Sequence, residues 1–350
     1  MGLSSRVRVA ACLAGAWALL VGTGCDPVST MRPGHVPTTL DPFHDPVLRP
    51  GKPRVLVLMP QFPQTLEVWA SLHQELAPDF DVITRRIDPD AQVELVARAI
   101  ATVKPACVVV MNNPTLRLYV AYQQASPQGT TYPPAIVVMT SFFEEQAASV
   151  GNAIGIAYEV PAVTQFARLR KLIDRPIKRV GVIHRKHLDH FVQHQGALAK
   201  AEHIELVAVR VADAPTVDEL RSALDRLLLN ERVDALWVVN ENALLTPALI
   251  ENAWLPATSG DNPIPVVVGV AGLVQGSPAL GTFAMIPDHE ALGAQAASLV
   301  FELADADWQI SGKLVEAPVS IKTIINGEQA RVHFGFSDNR RDQVDEVVEP

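Results

Sequence analysis

Cysteine, aromatic residues and positive charge are all scarce in this sequence, and each shortage closes off a class of function. Only 3 cysteines occur in 350 residues. Cys12 and Cys25 sit in or beside an apolar leader and Cys107 lies in the apolar run ACVVVM, so no internal disulfide framework and no Cys-x-x-Cys metal site is available. Cys107 reads as a small buried strand residue. Lys plus Arg number 29 against 38 Asp plus Glu, a net charge of −9 with no nucleic-acid motif, which argues against a nucleic-acid binder. No G-x-S-x-G elbow, phosphate-loop motif or G-x-G-x-x-G after a strand is present. With them goes the case for an enzyme of those classes, and no cofactor is expected. The glycines of GVAGLVQGSPALG lack phosphate-loop spacing and read as a turn and a hinge. Beyond the leader, no apolar run reaches the roughly 20 residues that span a bilayer.

What is present begins at that leader. Arg6 and Arg8 precede an apolar run from Val9 to Val21, followed by Gly22, Thr23, Gly24 and Cys25. These are the parts of a secretory signal. The small residues before Cys25 resemble a bacterial lipobox, although Gly22 occupies the position where leucine is preferred; an ordinary cleaved signal is the plainer reading. The expectation is a signal peptide over 1–24, lipidation of Cys25 and a periplasmic protein anchored to the membrane. Asp26 resembles the residue that retains lipoproteins in the inner membrane. Loss of 1–24 removes Arg6 and Arg8 and takes the net charge to −11. Residues 25–53, rich in Pro, Thr, His and Asp, are expected to form an extended, disordered tether.

From residue 54 the pattern alternates. RVLVLM (54–59), FDVITRRI, ACVVVM and AIVVMT are short apolar strands separated by the amphipathic segments TLEVWASLHQELA, DAQVELVARAIATV and TLRLYVAYQQA. Strands that are apolar throughout belong to a parallel sheet covered on both faces. The grammar restarts at RVGVIH (179–184) and runs through IELVAVRV, ALWVV, PVVVGV, ALGTFAMI and VSIKTIIN, again with helical segments between. The fold class is therefore α/β, with two doubly wound parallel-sheet lobes and one cleft between them. Ligands collect at the C-terminal ends of such strands, and hinge closure would enclose them.

At NAIGIAYEVPAVTQFARLRKLIDRPIKRVGVIH (152–184), ERVDALWVVNENAL (231–244), GTFAMIPDHEALGAQAA (281–297) and SIKTIINGEQARVHFGF (320–336) the chain resembles a known family. It is similar to the substrate-binding lipoproteins of ABC transporters of the tryptophan/tyrosine type, which have the type I periplasmic binding protein fold. The resemblance covers most of 53–336. It implies a monomer that binds a small organic ligand, no bond being broken, and docks on an inner-membrane ABC permease. It also implies three crossovers, expected near Gly155–Tyr158, Gly276–Gly281 and Gly312–Ala317. The lobes are then 54–156 plus 279–312 and 157–278 plus 313–336, with 337–350 an acidic tail. A ligand-sensing or scaffolding lipoprotein of the same fold is the alternative, because the ligand loops depart from the family pattern.

Those loops supply the candidate ligand-binding residues. Gln61, Phe62 and Gln64 follow the first strand, where two prolines equally suit a rigid turn. Asn112, Asn113 and Thr115 open a helix, as caps or as part of a carboxylate site. Ser141, Phe142 and Phe143 replace the family's Thr-Asp-Pro and bring rings suited to an apolar ligand. Arg185, in HRKH (184–187), is placed to grip an anion, although a solvated loop is the commoner outcome. His184, His187 and His190 are too loosely spaced for a confident metal site. Glu241 and Asn242 stand where the family has Asp and Asn, so Glu241 is expected to meet a ligand ammonium. Asp288, in PDHEAL, completes the set.

Overall fold

The alternating pattern builds two sheets. A computed structural model describes residues 41–260, 262–312 and 314–349; the signal segment and Cys25 lie outside them. The first sheet holds β1 (Arg54–Met59), β2 (Asp81–Arg86), β3 (Cys107–Met111), β4 (Ala135–Val138), β5 (Ala153–Ile156) and β11 (Val315–Glu316). Their order is β11-β5-β4-β3-β1-β2, and every pairing is parallel. The second sheet holds β6 (Arg179–Arg185), β7 (Glu205–Val211), β8 (Ala235–Val238), β9 (Val266–Val268), β10 (Phe283–Pro287), β12 (Ile321–Asn326) and β13 (Glu346–Val348). Its order is β13-β12-β10-β9-β8-β6-β7. Only β10 and β12 run antiparallel, with Met285 opposite Thr323.

Period-two alternation sorts β1 into two cores. Val55, Val57 and Met59 face the helices Pro63–Leu76 and His289–Asp305. Leu56 and Leu58 face the helices Val93–Val103 and Asn113–Ala125 on the other side. This is why the strand is apolar at every position. The long helix His289–Asp305 follows β10 of the second sheet yet packs on the first lobe. Gly293 lets it approach closely, since a Cβ there would lie 2.3 Å from the Val68 carbonyl oxygen.

The chain crosses between the lobes three times, and two crossings differ from expectation. The first runs through Ala157–Pro161. The second is at Asp288, not at Gly276–Gly281, because β10 belongs to the second sheet; 279–287 is therefore not part of the first lobe. Gly281 serves packing, as a Cβ there would stand 2.7 Å from Val268 Cγ2. The third crossing follows β11, through 317–320, because Val315 pairs with Gly155 of the first sheet. The C-terminal segment is not a free tail, since β13 extends the second sheet beside β12.

The tether also needs correction where it is described. Arg49 holds the buried Asp81 through its backbone N–H (2.8 Å) and Nε (2.7 Å), and Asp45 meets Arg85 at 2.6 Å. Phe43 packs on the first core. Burial alone would raise the Asp81 carboxyl, but these Arg49 bonds outweigh it and hold the pKa below the ordinary value. Residues 43–52 are thus strapped to the first lobe.

Candidate functional site

The C-terminal ends of both sheets meet at the cleft, and the loop after β4 is the piece that reaches across. Met139 and Phe142 both adopt left-handed backbone (φ 55° each), which costs a bulky side chain energy and is retained only where surroundings enforce it. Here the result is to insert Phe142 into the second lobe's core, with its ring edge-on to Phe191 at 5.0 Å between centroids. Beside it, the Asn240 side-chain amide donates to Ser141 Oγ at 3.0 Å. His190 meets Glu145 at 3.1 Å. Asn113 braces the loop from its own lobe, donating to the Ser141 carbonyl (3.0 Å) and accepting from its N–H (2.8 Å).

Behind this latch lies Glu159, on the first crossing. The residue keeps some solvent contact, but its carboxylate Oε1 has none and meets no protein donor. Desolvation pushes its pKa up to about 7 from 4.5. The Phe142 N–H, its own N–H and the Ser141 hydroxyl pull it back in part, and Glu144 pushes it up further. Glu159, Gln165, Phe142, Tyr158, Trp237 and Asn240 line a cavity of about 20 Å³, room for about one water. Gln165 Nε2 donates to the Val160 carbonyl (2.7 Å), which fixes the amide's orientation and leaves Oε1 buried without a donor. A second cavity of about 140 Å³ shares Phe142 and Glu159 and adds Glu144, Glu145, His194 and Glu316.

Tyr158 is tied back. Its hydroxyl pairs with His289 Nε2 (3.0 Å), and His289 Nδ1 pairs with Glu67 (2.9 Å), joining the first crossing to the helix that starts at the second. Burial raises the Tyr158 phenol above its ordinary pKa.

The residues singled out by sequence distribute unevenly. Phe142 lines both cavities, and Ser141 bridges the lobes. Glu241 is buried; its Oε1 is taken by Arg185 and by His187 (3.2 Å), while its Oε2 is buried without a protein donor. Arg185 also donates to the Asp213 carbonyl. Asn112 accepts the Thr115 N–H (3.0 Å) as a helix cap, and the Thr115 side chain is fully buried. Asp288 caps its helix by accepting the Glu290 N–H and pairs with Lys322. Gln61 accepts from Arg86, Phe62 is 50% exposed, and Gln64 and Asn242 are exposed; none of the four lines either cavity. Phe143 is buried against Gly155 in the first lobe. Among the described residues no three His, Cys, Asp or Glu form a metal-ligand group. Sequence reading passed over Glu159, Gln165 and Trp237. The one available signal was an acid in an otherwise apolar crossing segment, AYEVPAV.

No family model and no curated protein matches this sequence. Solved structures do. The chain is similar to a substrate binding protein with adhesive properties from Clostridium difficile, in its ligand-free, open form (14% identity, 85% of this chain and 100% of that one, TM-score 0.63). It is also similar to the ABC domain in complex with L-Trp from Streptococcus pneumonia (16%, 85% and 100%, TM-score 0.58). A third is AraP, an arabinose binding protein from Geobacillus stearothermophilus (12%, 81% and 100%, TM-score 0.53). At these identities the likeness establishes the fold, that of type I periplasmic binding proteins.

Proposed function

We propose that this chain is a solute-binding protein of an ABC transporter, tethered outside the cytoplasm by a lipid on Cys25. It captures a small organic ligand between its lobes, presents the closed form to an inner-membrane permease and breaks no bond. The tryptophan/tyrosine-type family remains the nearest description of its sequence motifs. One observation carries the reading. Two sheets present their C-terminal ends to one cleft, and that cleft holds buried acceptors without protein donors beside three aromatic rings. Buried acceptors without protein donors take theirs from a small molecule held in the cavity.

The direct latch between the lobes favours a second reading. Phe142 in the opposite core, with Ser141 on Asn240, gives the closed form a stability of its own. That suits a sensing or scaffolding lipoprotein whose ligand opens it. Thermal unfolding of the purified protein against amines, amino acids, sugars and carboxylates tests both, because a ligand of the native state raises the melting temperature. Stabilisation by one chemical class, with scattering that shows the lobes more closed, supports capture for transport. Stabilisation with the lobes further apart supports the sensor. No stabilisation by any compound, with no change in lobe separation, overturns solute binding.

A further inference from the structure

We infer that the interlobe site is built for a protonated amine carrying no carboxylate, its N–H groups on Glu159 and Gln165 and its charge against the rings of Phe142, Tyr158 and Trp237. This rests on the solute-binding reading and adds the ligand's chemical class to it.

Two buried acceptors, Glu159 Oε1 and Gln165 Oε1, line one cavity and meet no protein donor. One N–H of the Gln165 amide and one of the Asn240 amide are committed, to Val160 and to Ser141. A ligand here must therefore bring donors. Among the described residues neither cavity is lined by Arg or Lys, so an ionised Glu159 is matched by a ligand that brings positive charge. Glu241 differs in this respect, being neutralised by Arg185. Aromatic faces complement an ammonium ion through their quadrupoles.

The approach to the site carries the same sign. Phe142 and Glu159 form the wall between the two cavities, and the outer one is lined by Glu144, Glu145 and Glu316. A zwitterion such as an amino acid would have to bury its carboxylate among these groups with no cation to meet it, and uncompensated burial of a charge is strongly unfavourable. The site thus discriminates against the amino acids that share the ammonium group.

Glu159 must be ionised to hold the cation, and its raised pKa makes that a titration near neutrality. The titratable groups facing it are Tyr158 on its own segment, Glu144 and Glu145 after β4, His194 on the helix Asp189–Lys200 and Glu316 on β11. Glu145 is paired with His190, and the Tyr158 hydroxyl is held by His289. Glu144 acts with burial to raise the carboxyl, so below about pH 7 a bound cation must draw the proton off it.

The test is titration calorimetry on the purified full chain between pH 5.5 and 8.5. The probes are tyramine and tryptamine, with L-tyrosine and L-tryptophan as the same side chains bearing a carboxylate. The expected result is binding of the amines, with the amino acids at least about 30-fold weaker. Amine affinity should rise about tenfold per pH unit up to about pH 7 and then level off. Glu159→Gln should cost the amines at least about 30-fold and abolish the pH slope, and Gln165→Leu should cost about tenfold with the slope intact. The wild-type slope decides the matter if a variant does not fold. Amino acids binding as well as the amines, or amine affinity independent of pH, would overturn the proposal. A sugar or amino acid that binds and draws the lobes together would overturn the amine class while leaving solute capture standing. No binding by any of these, and no lobe movement, would overturn both.

Discussion

Glu159→Gln should make the protein more stable, by an amount that depends on pH. Burial raises the Glu159 pKa from 4.5 to about 7. A carboxyl whose folded pKa lies above its unfolded value costs stability once the unfolded chain ionises. The cost is absent below about pH 4.5, grows between there and about pH 7, and is complete above that. Each pKa unit corresponds to about 1.4 kcal/mol, so the penalty at pH 8 is about 3 kcal/mol. Glutamine keeps the shape and can still accept from the Phe142 N–H, but carries no charge to desolvate. Urea unfolding of wild type and variant from pH 4 to 8.5 measures the difference. The two should be nearly alike at pH 4 and diverge through the window 4.5–7, with the variant ahead by about 3 kcal/mol at pH 8. A difference that does not change with pH, or a variant less stable at pH 8, would refute the assignment of Glu159 as a buried, uncompensated acid.

Four further outcomes follow from named contacts. Phe142→Ala removes the ring from the second core, which should cost about 3 kcal/mol or more in unfolding experiments and enlarge the radius of gyration by scattering as the lobes part. Arg185→Ala strands the buried Glu241 with only His187 beside it and should cost about 3 kcal/mol. Glu241→Ala leaves the more exposed Arg185 bonded to Asp213 and should cost about 1 kcal/mol; equal costs would count against the pairing. Arg49→Ala should destabilise the first lobe by roughly 2 kcal/mol near pH 7. Because the Asp81 pKa is lowered, that loss should fade as pH drops below the ordinary value of 3.8.

The sheets were legible because their residues report a local fact. RVLVLM is apolar at every position since both faces of β1 are covered, and the alternation between sheets and helices repeats that signal through both lobes. The second crossing was not legible. Gly276 and Gly281 look like a hinge in sequence, whereas Gly281 is there for contact with Val268, and the real crossing is marked only by Asp288, an ordinary helix cap. The strap at Arg49 was hidden because its partner, Asp81, lies 32 residues on. The site was the least legible part. Glu159 is buried by segments that come from both lobes and a crossing, so nothing in AYEVPAV states its environment. Glu241 stood out by family position, and only the fold shows Arg185 already holding it.

The central claim is that a ligand enters between the lobes, and a reversible cross-link tests it most directly. The Ser141 and Asn240 side chains touch across the cleft at 3.0 Å, so Ser141→Cys with Asn240→Cys puts one thiol on each side of it, to be joined by a short cleavable cross-linker. Binding of the best compound from the thermal panel would be titrated before and after reduction. The account predicts no binding to the cross-linked, latched protein and recovery of binding when the link is cleaved. Equal affinity in both states would mean that the ligand binds elsewhere and that the cleft is not the site.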